Sequence, residues 1–409
     1  MAIHDFLIIG AGPAGSTAGA LLVKHGYSVS MIDRHVEMPR KVCGEYLCPK
    51  GVDVIRELGW SEKLLKNFRS VTGMDITAPS GNVVHAMFPC VPNVSPTGVS
   101  VSRDQFDGRL LQNAIESGVK TFLGEHVLTL SWIRGIWELT TKSGKVFHAR
   151  NLIGADGRQS IVAKTLGLEK SPSQKRVAFH WFANSCLKSS SGSVKNGNQG
   201  EMHIFSDGSY IGINHTGDTE TNMSLVLNSS RVRDFNSHDE LINHYINMKP
   251  KLVERFGLVG TETKILSAFP IEHRVRAVAG KNFALVGDAA GFIDPLTGEG
   301  MFNALWMGRQ LAMRVNERKN ENLFDCSGAF EAYARDHKSQ FLQKKILNSI
   351  FQFVISKPWL VELLGKFLNT SQSRRDTFVG IIGNIYSPGV GLFRLLFVGD
   401  EKAPSAVSS

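Results

Sequence analysis

Apolar residues gather along this chain in short runs that end on glycines, and their spacing changes along its length. Near the N-terminus a run at about 5–9, DFLII, meets Gly10, Gly12 and Gly15. Small residues Ala18, Gly19 and Ala20 then open a helix closing near Gly26, and a second run, SVSMID, ends on Asp33. An unbroken apolar run bounded by turn residues predicts a strand buried on both faces. Two later stretches repeat the pattern. NLIGADGRQSIVAKTLG at 151–167 predicts a strand ending in Ala155-Asp156-Gly157, then a helix. KNFALVGDAAGFIDPLTGEGMFNALWMGRQLA at 281–312 predicts a strand ending in Gly287-Asp288, a loop through Pro295 and Gly298, and a long helix. PKGVDVIRELGW sets Val52, Ile55 and Leu58 at helical spacing, with Pro49 suited to the first turn.

Between the second and third of these units the texture becomes that of short strands. RVAFHWFANSC, EMHIF, SYIGINHT and NMSLVL predict a meander of antiparallel strands, and MDITAPSGNVVHAMF at 74–88 a hairpin joining the same sheet. The fold class is therefore α/β with an antiparallel β portion: a Rossmann-type domain, a second domain built on an antiparallel sheet, and a C-terminal helical region.

Composition removes several functions. The chain has 409 residues, 42% hydrophobic and 20% charged, as an ordinary globular protein of two or three domains does. Its cysteines, Cys43, Cys48, Cys90, Cys186 and Cys326, are odd in number and never spaced Cys-x2-Cys, so neither a disulfide framework nor a metal site is expected. A reducing cytoplasm is the simplest home. The N-terminal apolar run lacks a basic flank and a cleavage site, and reads as a strand rather than a signal peptide. No run approaches the roughly 20 apolar residues that cross a bilayer; ILNSIFQFVIS at 346–356 is short and interrupted. The net charge is +9, and residues 338–409 hold nine Lys or Arg against four Asp or Glu, so 9 − 4 = 5 positive charges lie at that end. With SKPWLVELLGKFL there, we expect either a helical region packed on the body with solvated lysines, or a peripheral contact with anionic membrane. No nucleic-acid recognition motif is present.

The first unit has a mechanical reading. Gly10 makes a tight turn, Gly12 lets backbone approach a diphosphate, and Gly15 lets helix and strand pack closely. A diphosphate then sits on the helix N-terminus, where free amides favour negative charge. Asp33 is placed to accept from ribose hydroxyls. This much predicts a dinucleotide and leaves NAD and FAD both open.

The three units in this order resemble the two-domain flavoprotein superfamily of p-hydroxybenzoate hydroxylase-like monooxygenases, flavin-dependent halogenases and geranylgeranyl reductases, over about 1–325. The resemblance implies FAD, held by Gly10, Gly12, Pro13, Ala14, Gly15, Asp33, Arg34, Arg40, Arg103, Asp156, Gly157, Gly287, Asp288, Pro295, Gly298, Gly300 and Met301. It implies an FAD-binding domain of 1–72, 99–171 and 270–325, a substrate domain of 73–98 and 172–269, and a helical region of 326–409. Backbone amides around Gly298–Met301 would face the negative charge of a reduced flavin. The sequence holds no second Gly-x-Gly-x-x-Gly, so NAD(P)H or another electron donor would visit transiently.

A hydrophobic substrate is expected between the two sheets, against Trp181, Phe182, Tyr210, Asn214 and Phe292. Tryptophan halogenases carry W-x-W-x-I-P where this chain has SYIGINHT, which disfavours halogenation. Aromatic hydroxylases have histidine after G-D-A-A, and here it is Gly291, followed by DPLTGEG as in the reductase branch. YIGIN departs from the Y-x-W-x-F-P pattern of the reductases. Reduction of an isoprenoid-, polyketide- or aromatic-like molecule and O2-dependent hydroxylation both stay open, with a non-catalytic flavin-binding protein behind them. The reductases' P-R-x-K-x-C-G-G appears here as PRKVCGE, with Glu45 where they have a second glycine. Cys43 and Glu45 are the candidate catalytic residues facing substrate, Glu45 as an acid or base if burial raises its pKa.

Overall fold

A computed structural model describes residues 3–184, 198–217, 219–319 and 325–397. Cys186 and residues 398–409 of the C-terminal region lie outside them. Along the chain come β1 (Ile3–Ile9), α1 (Pro13–Lys24) and β2 (Val29–Asp33), then the hairpin β3 (Gly73–Thr77) and β4 (Val83–Met87). α2 (Arg103–Glu116) and β5 (Val146–Gly154) precede β6 (Arg176–Asn184), β7 (Gln199–Ile204), β8 (Tyr210–His215), β9 (Glu220–Asn228) and β10 (Leu266–Ala268). The helices α3 (Gly300–Glu317), α4 (Ser327–Ile355), α5 (Pro358–Leu368), α6 (Gln372–Ile382) and α7 (Pro388–Phe397) follow.

The first sheet aligns Lys120–Leu123, β2, β1, β5 and Phe283–Leu285 in parallel, with antiparallel strands Val127–Ile133 and Ile136–Thr141 attached to β5. Phe6, Leu7 and Ile8 are fully buried at its centre, as a run apolar on both faces requires. Parallel strands end at one edge. The residues after β1, at the end of β2, and after β5 and Phe283–Leu285 are Gly10, Asp33, Ala155-Asp156 and Val286-Gly287-Asp288, and so three distant motifs share one rim. Glycine is needed for that closeness. A Cβ on Gly15 would lie 2.0 Å from the Gly10 carbonyl oxygen, and one on Gly308 of α3 would lie 2.5 Å from that of Ala14 in α1.

The second sheet runs β10-β6-β9-β8-β7-β3-β4. One correction applies: β7 and β3 pair in parallel, with Gly200 opposite Met74 and Met202 opposite Ile76, so the sheet is mixed rather than a pure antiparallel meander. The hairpin β3-β4 is an early segment joined to strands from more than 100 residues later, and local turn chemistry fixes only its own antiparallel pair. One face of the sheet packs Phe179, Trp181, Ile211 and Leu225 against Leu241 and Tyr245 of the helix His238–Asn247. The other presents Ala178, Met202, Tyr210 and Val226 toward the first domain, with Leu296. The C-terminal helices dock beside it: Phe378 and Val379 of α6 share a cluster with Ala86 and Phe88, and Ile355 of α4 joins the Tyr210 cluster. Among the described residues no helix is long and apolar enough to cross a membrane.

Candidate active site

The rim of the first sheet and the inward face of the second enclose a cavity of about 690 Å³. At its far end Gly10 has φ +104°, and a Cβ there would meet the Ala155 carbonyl oxygen at 2.3 Å. Gly12 differs: a Cβ there would meet nothing nearer than Lys41 Nζ at 3.8 Å, so its bareness leaves open space rather than serving packing. It is the N-cap of α1, with no side-chain cap and no acid in the first turn, so a positive helix end opens on the cavity. Asp33 accepts from the Ala11 and His35 N–H groups, both at 2.8 Å, and still borders the cavity. Asp156 Oδ2 accepts from the Ile161 N–H at 2.7 Å, starting the next helix, while its Oδ1 is buried without a partner. Burial pushes Asp288 up from the usual carboxylate range, opposed by Arg158, Arg103 and Lys41.

Nearer the second sheet, Gly298 takes φ +64°, and a Cβ would press on the Tyr46 ring at 2.9 Å. Gly300 and Met301 then begin α3 at the cavity wall. The capping Glu299 turns away to Lys344, Oε2 to Nζ 2.8 Å, so no acid stands before those first-turn amides. An anionic ring system is favoured there.

The loop Cys43-Gly44-Glu45 separates the two residues expected to face substrate. Cys43 borders the cavity; burial pushes its thiol up, against the pull of the adjacent Arg103 guanidinium. Glu45 does not border it. Its φ of +51° swings the side chain beneath α2, where Oε1 accepts from the Arg103 N–H at 3.0 Å and Oε2 is buried without a hydrogen-bond partner. Glu45 thus caps α2, whose own N-cap Ser102 hydrogen-bonds Asp104 instead. Left-handed backbone in a residue with a Cβ costs roughly 1–2 kcal/mol. The loop is held in it by the Val101 N–H and the Asn214 amide, at 2.8 and 2.7 Å from the Glu45 carbonyl oxygen. Burial pushes the Glu45 carboxyl up to about 7.

Other expected residues fall in several places. Arg103 borders the cavity, but its guanidinium is fixed by two hydrogen bonds to buried Asp107, at 2.9 and 2.8 Å, with Lys41 Nζ 3.3 Å from the same carboxylate. Arg40 also borders it, yet pairs with Glu220 at 2.9 and 3.1 Å and lies over the Phe182 ring, tying the loop to the second sheet rather than presenting a free cation to a cofactor. Exposed Arg34 stands at the margin, and Pro13, Ala14, Gly157, Gly287 and Pro295 line the cofactor side. Of the substrate wall, Tyr210, Asn214 and Phe292 border the cavity. Trp181 does not: it is 1% exposed on the opposite face of β6, in the core with Tyr245. Residues the sequence did not single out are Tyr46, Lys41 and Asp107; only Asp107 carried a signal, four residues after Arg103 on one helix.

Among the described residues no cluster could hold a metal ion. These residues could hold FAD: the Gly12 opening and α1 would take the diphosphate, Asp33 the ribose, Asp288 and the unpartnered Asp156 Oδ1 the linking chain, and the start of α3 the ring. Comparison with known proteins agrees. Residues 4–337 match the family described as FAD binding domain. A menaquinone reductase of Mycobacterium tuberculosis is 29% identical over 332 residues, covering 77% of each chain. A digeranylgeranylglycerophospholipid reductase of Methanosphaera stadtmanae is 27% identical, covering 74% of this chain and 75% of its own. The solved structure of a flavin-dependent brominase shares the fold with a TM-score of 0.79 at 19% identity, covering 96% of this chain and 98% of its own. With the cofactor rim in place and most of its length matched, the chain belongs to the FAD-binding-domain family and is an FAD-dependent oxidoreductase.

Proposed function

We propose that this oxidoreductase reduces a C=C or related bond of an apolar molecule, isoprenoid-like or polyketide-like, bound between the flavin position and the second sheet. FAD in the cavity would supply two-electron transfer at its ring. The observation that carries the reading is what the sheet turns inward. Gly200 and Gly212 border the cavity, and a Cβ on either would meet nothing closer than 4.0 Å; Met74, Met202, Ala178 and Val226 surround them. The polar groups of Tyr210, Asn214 and Ser224 on that wall have partners within the protein. Tyr210 donates to Asp294 at 2.8 Å, the Asn214 amide holds the Glu45 carbonyl and Ser100, and Ser224 pairs with His180 at 3.1 Å. A long apolar chain meets such a surface without stranding a polar group. The printed activities of the two reductase relatives support the same choice.

In this reading Cys43, whose thiol burial keeps protonated, would hold a proton beside the substrate at the cavity wall. Reducing equivalents come from a transient donor, NAD(P)H or another reductant. Gly212→Leu fills the open strip of the wall, and overpacking of roughly 1–3 kcal/mol predicts about a tenfold fall in kcat/KM for long apolar acceptors. Flavin content stays unchanged. Equal activity toward long and short acceptors in the variant would place substrate elsewhere.

A further inference from the structure

We infer that the C-terminal helices form a platform that rests on an anionic lipid surface. α4 sets Leu342, Ile346, Ile350 and Phe353 along one face, all exposed, Phe353 by 60%. On α5, Trp359 and Leu363 are 64% and 57% exposed. α7 turns out Leu392, Phe393, Leu396 and Phe397, the last 71% exposed. Both α5 and α7 pack on α4, and none of these side chains belongs to a core cluster of the described residues. Apolar exposure concentrated in one segment marks a surface that is covered in use.

Charge selects what covers it. At 100° per residue, Lys338 and Lys345 both border one edge of the apolar stripe of α4, and Lys366 shares the face of Trp359 and Leu363. With Lys357 between the two helices, these four make no salt bridge among the described residues. Of the acids of α4 to α6, Glu331 near the start of α4 is exposed and the other three are engaged by neighbouring groups. Asp336 is held by Arg314, Glu362 accepts from the Ser80 N–H at 2.8 Å, and Asp376 from the Met87 N–H at 2.9 Å. The outward face is therefore apolar and cationic together, the pairing that sinks side chains below headgroups while lysines stay at the phosphates. Two copies meeting through it would set lysines against lysines. No described helix is both long and apolar enough to cross, and the proposed contact is one of lying on the surface.

Co-sedimentation of the flavin-loaded full chain with vesicles tests this. Binding is expected to phosphatidylcholine vesicles containing phosphatidylglycerol, at least tenfold tighter than to phosphatidylcholine alone, and to fall steeply in high salt. Trp359→Ser/Phe393→Ser and Lys338→Glu/Lys345→Glu should each weaken it at least fivefold with flavin content unchanged. Equal binding to both vesicle types at low salt, or none, overturns the proposal. So does a dimer in sedimentation equilibrium that the same substitutions dissociate.

Discussion

Gly12→Asp is expected to purify colourless, with FAD affinity reduced by more than a hundredfold, while the apoprotein melts within about 2 °C of wild type. The two halves of that result have separate causes. A Cβ at Gly12 enters open space in the protein, and aspartate is a favoured N-cap, so the fold has no reason to object. The carboxylate nevertheless stands where the diphosphate must approach the α1 amides, adding a like charge to a lost position. Gly15→Ala is the contrast, because its Cβ would strike the Gly10 carbonyl and disturb the turn itself. Flavin absorbance after purification and differential scanning calorimetry of the apoproteins check both. A Gly12→Asp protein that keeps its flavin would remove the diphosphate from α1.

Glu45→Gln should make the protein more stable at pH 8 than wild type and little different at pH 5. The Glu45 carboxyl is raised from the ordinary carboxylate range to about 7 by burial, so its folded form holds a proton that its unfolded form releases. Stability from this group is present in full below the unfolded pKa and is lost as pH rises through 7. The loss is on the order of 2–3 kcal/mol. Glutamine keeps an oxygen for the Arg103 N–H and has no charge to bury, so its melting curve should lack that slope. Parallel curves for the two proteins between pH 5 and 8 would show that Glu45 is solvated or paired as an ion.

How far the sequence revealed these features depends on the range of the interaction. Gly10, Asp33, Asp156 and Asp288 were legible because each ends an apolar strand, and parallel pairing alone then carries them to one rim. Trp181 was misplaced because alternation along β6 shows that residues 179 and 181 share a face without saying which face meets the cavity. Helix His238–Asn247 decides that, and it lies 60 residues away in sequence. The parallel pairing of β3 with β7 is equally non-local. Cys43 and Glu45 looked equivalent at two-residue spacing. The left-handed backbone at Glu45, set by contacts from Val101 and Asn214, sends one side chain to the cavity and the other beneath α2. Arg103 was legible as a residue, and its fixed geometry was not, because Asp107 and Lys41 hold it.

Reduction of a substrate double bond needs no oxygen, whereas hydroxylation and halogenation by a flavoprotein do. Chemically reduced holoenzyme mixed with polyprenyl acceptors under argon is therefore the most direct measurement. Return of oxidised-flavin absorbance together with one saturated product per flavin is the predicted result. Product that forms only when O2 is admitted, and that carries an added oxygen, would contradict it.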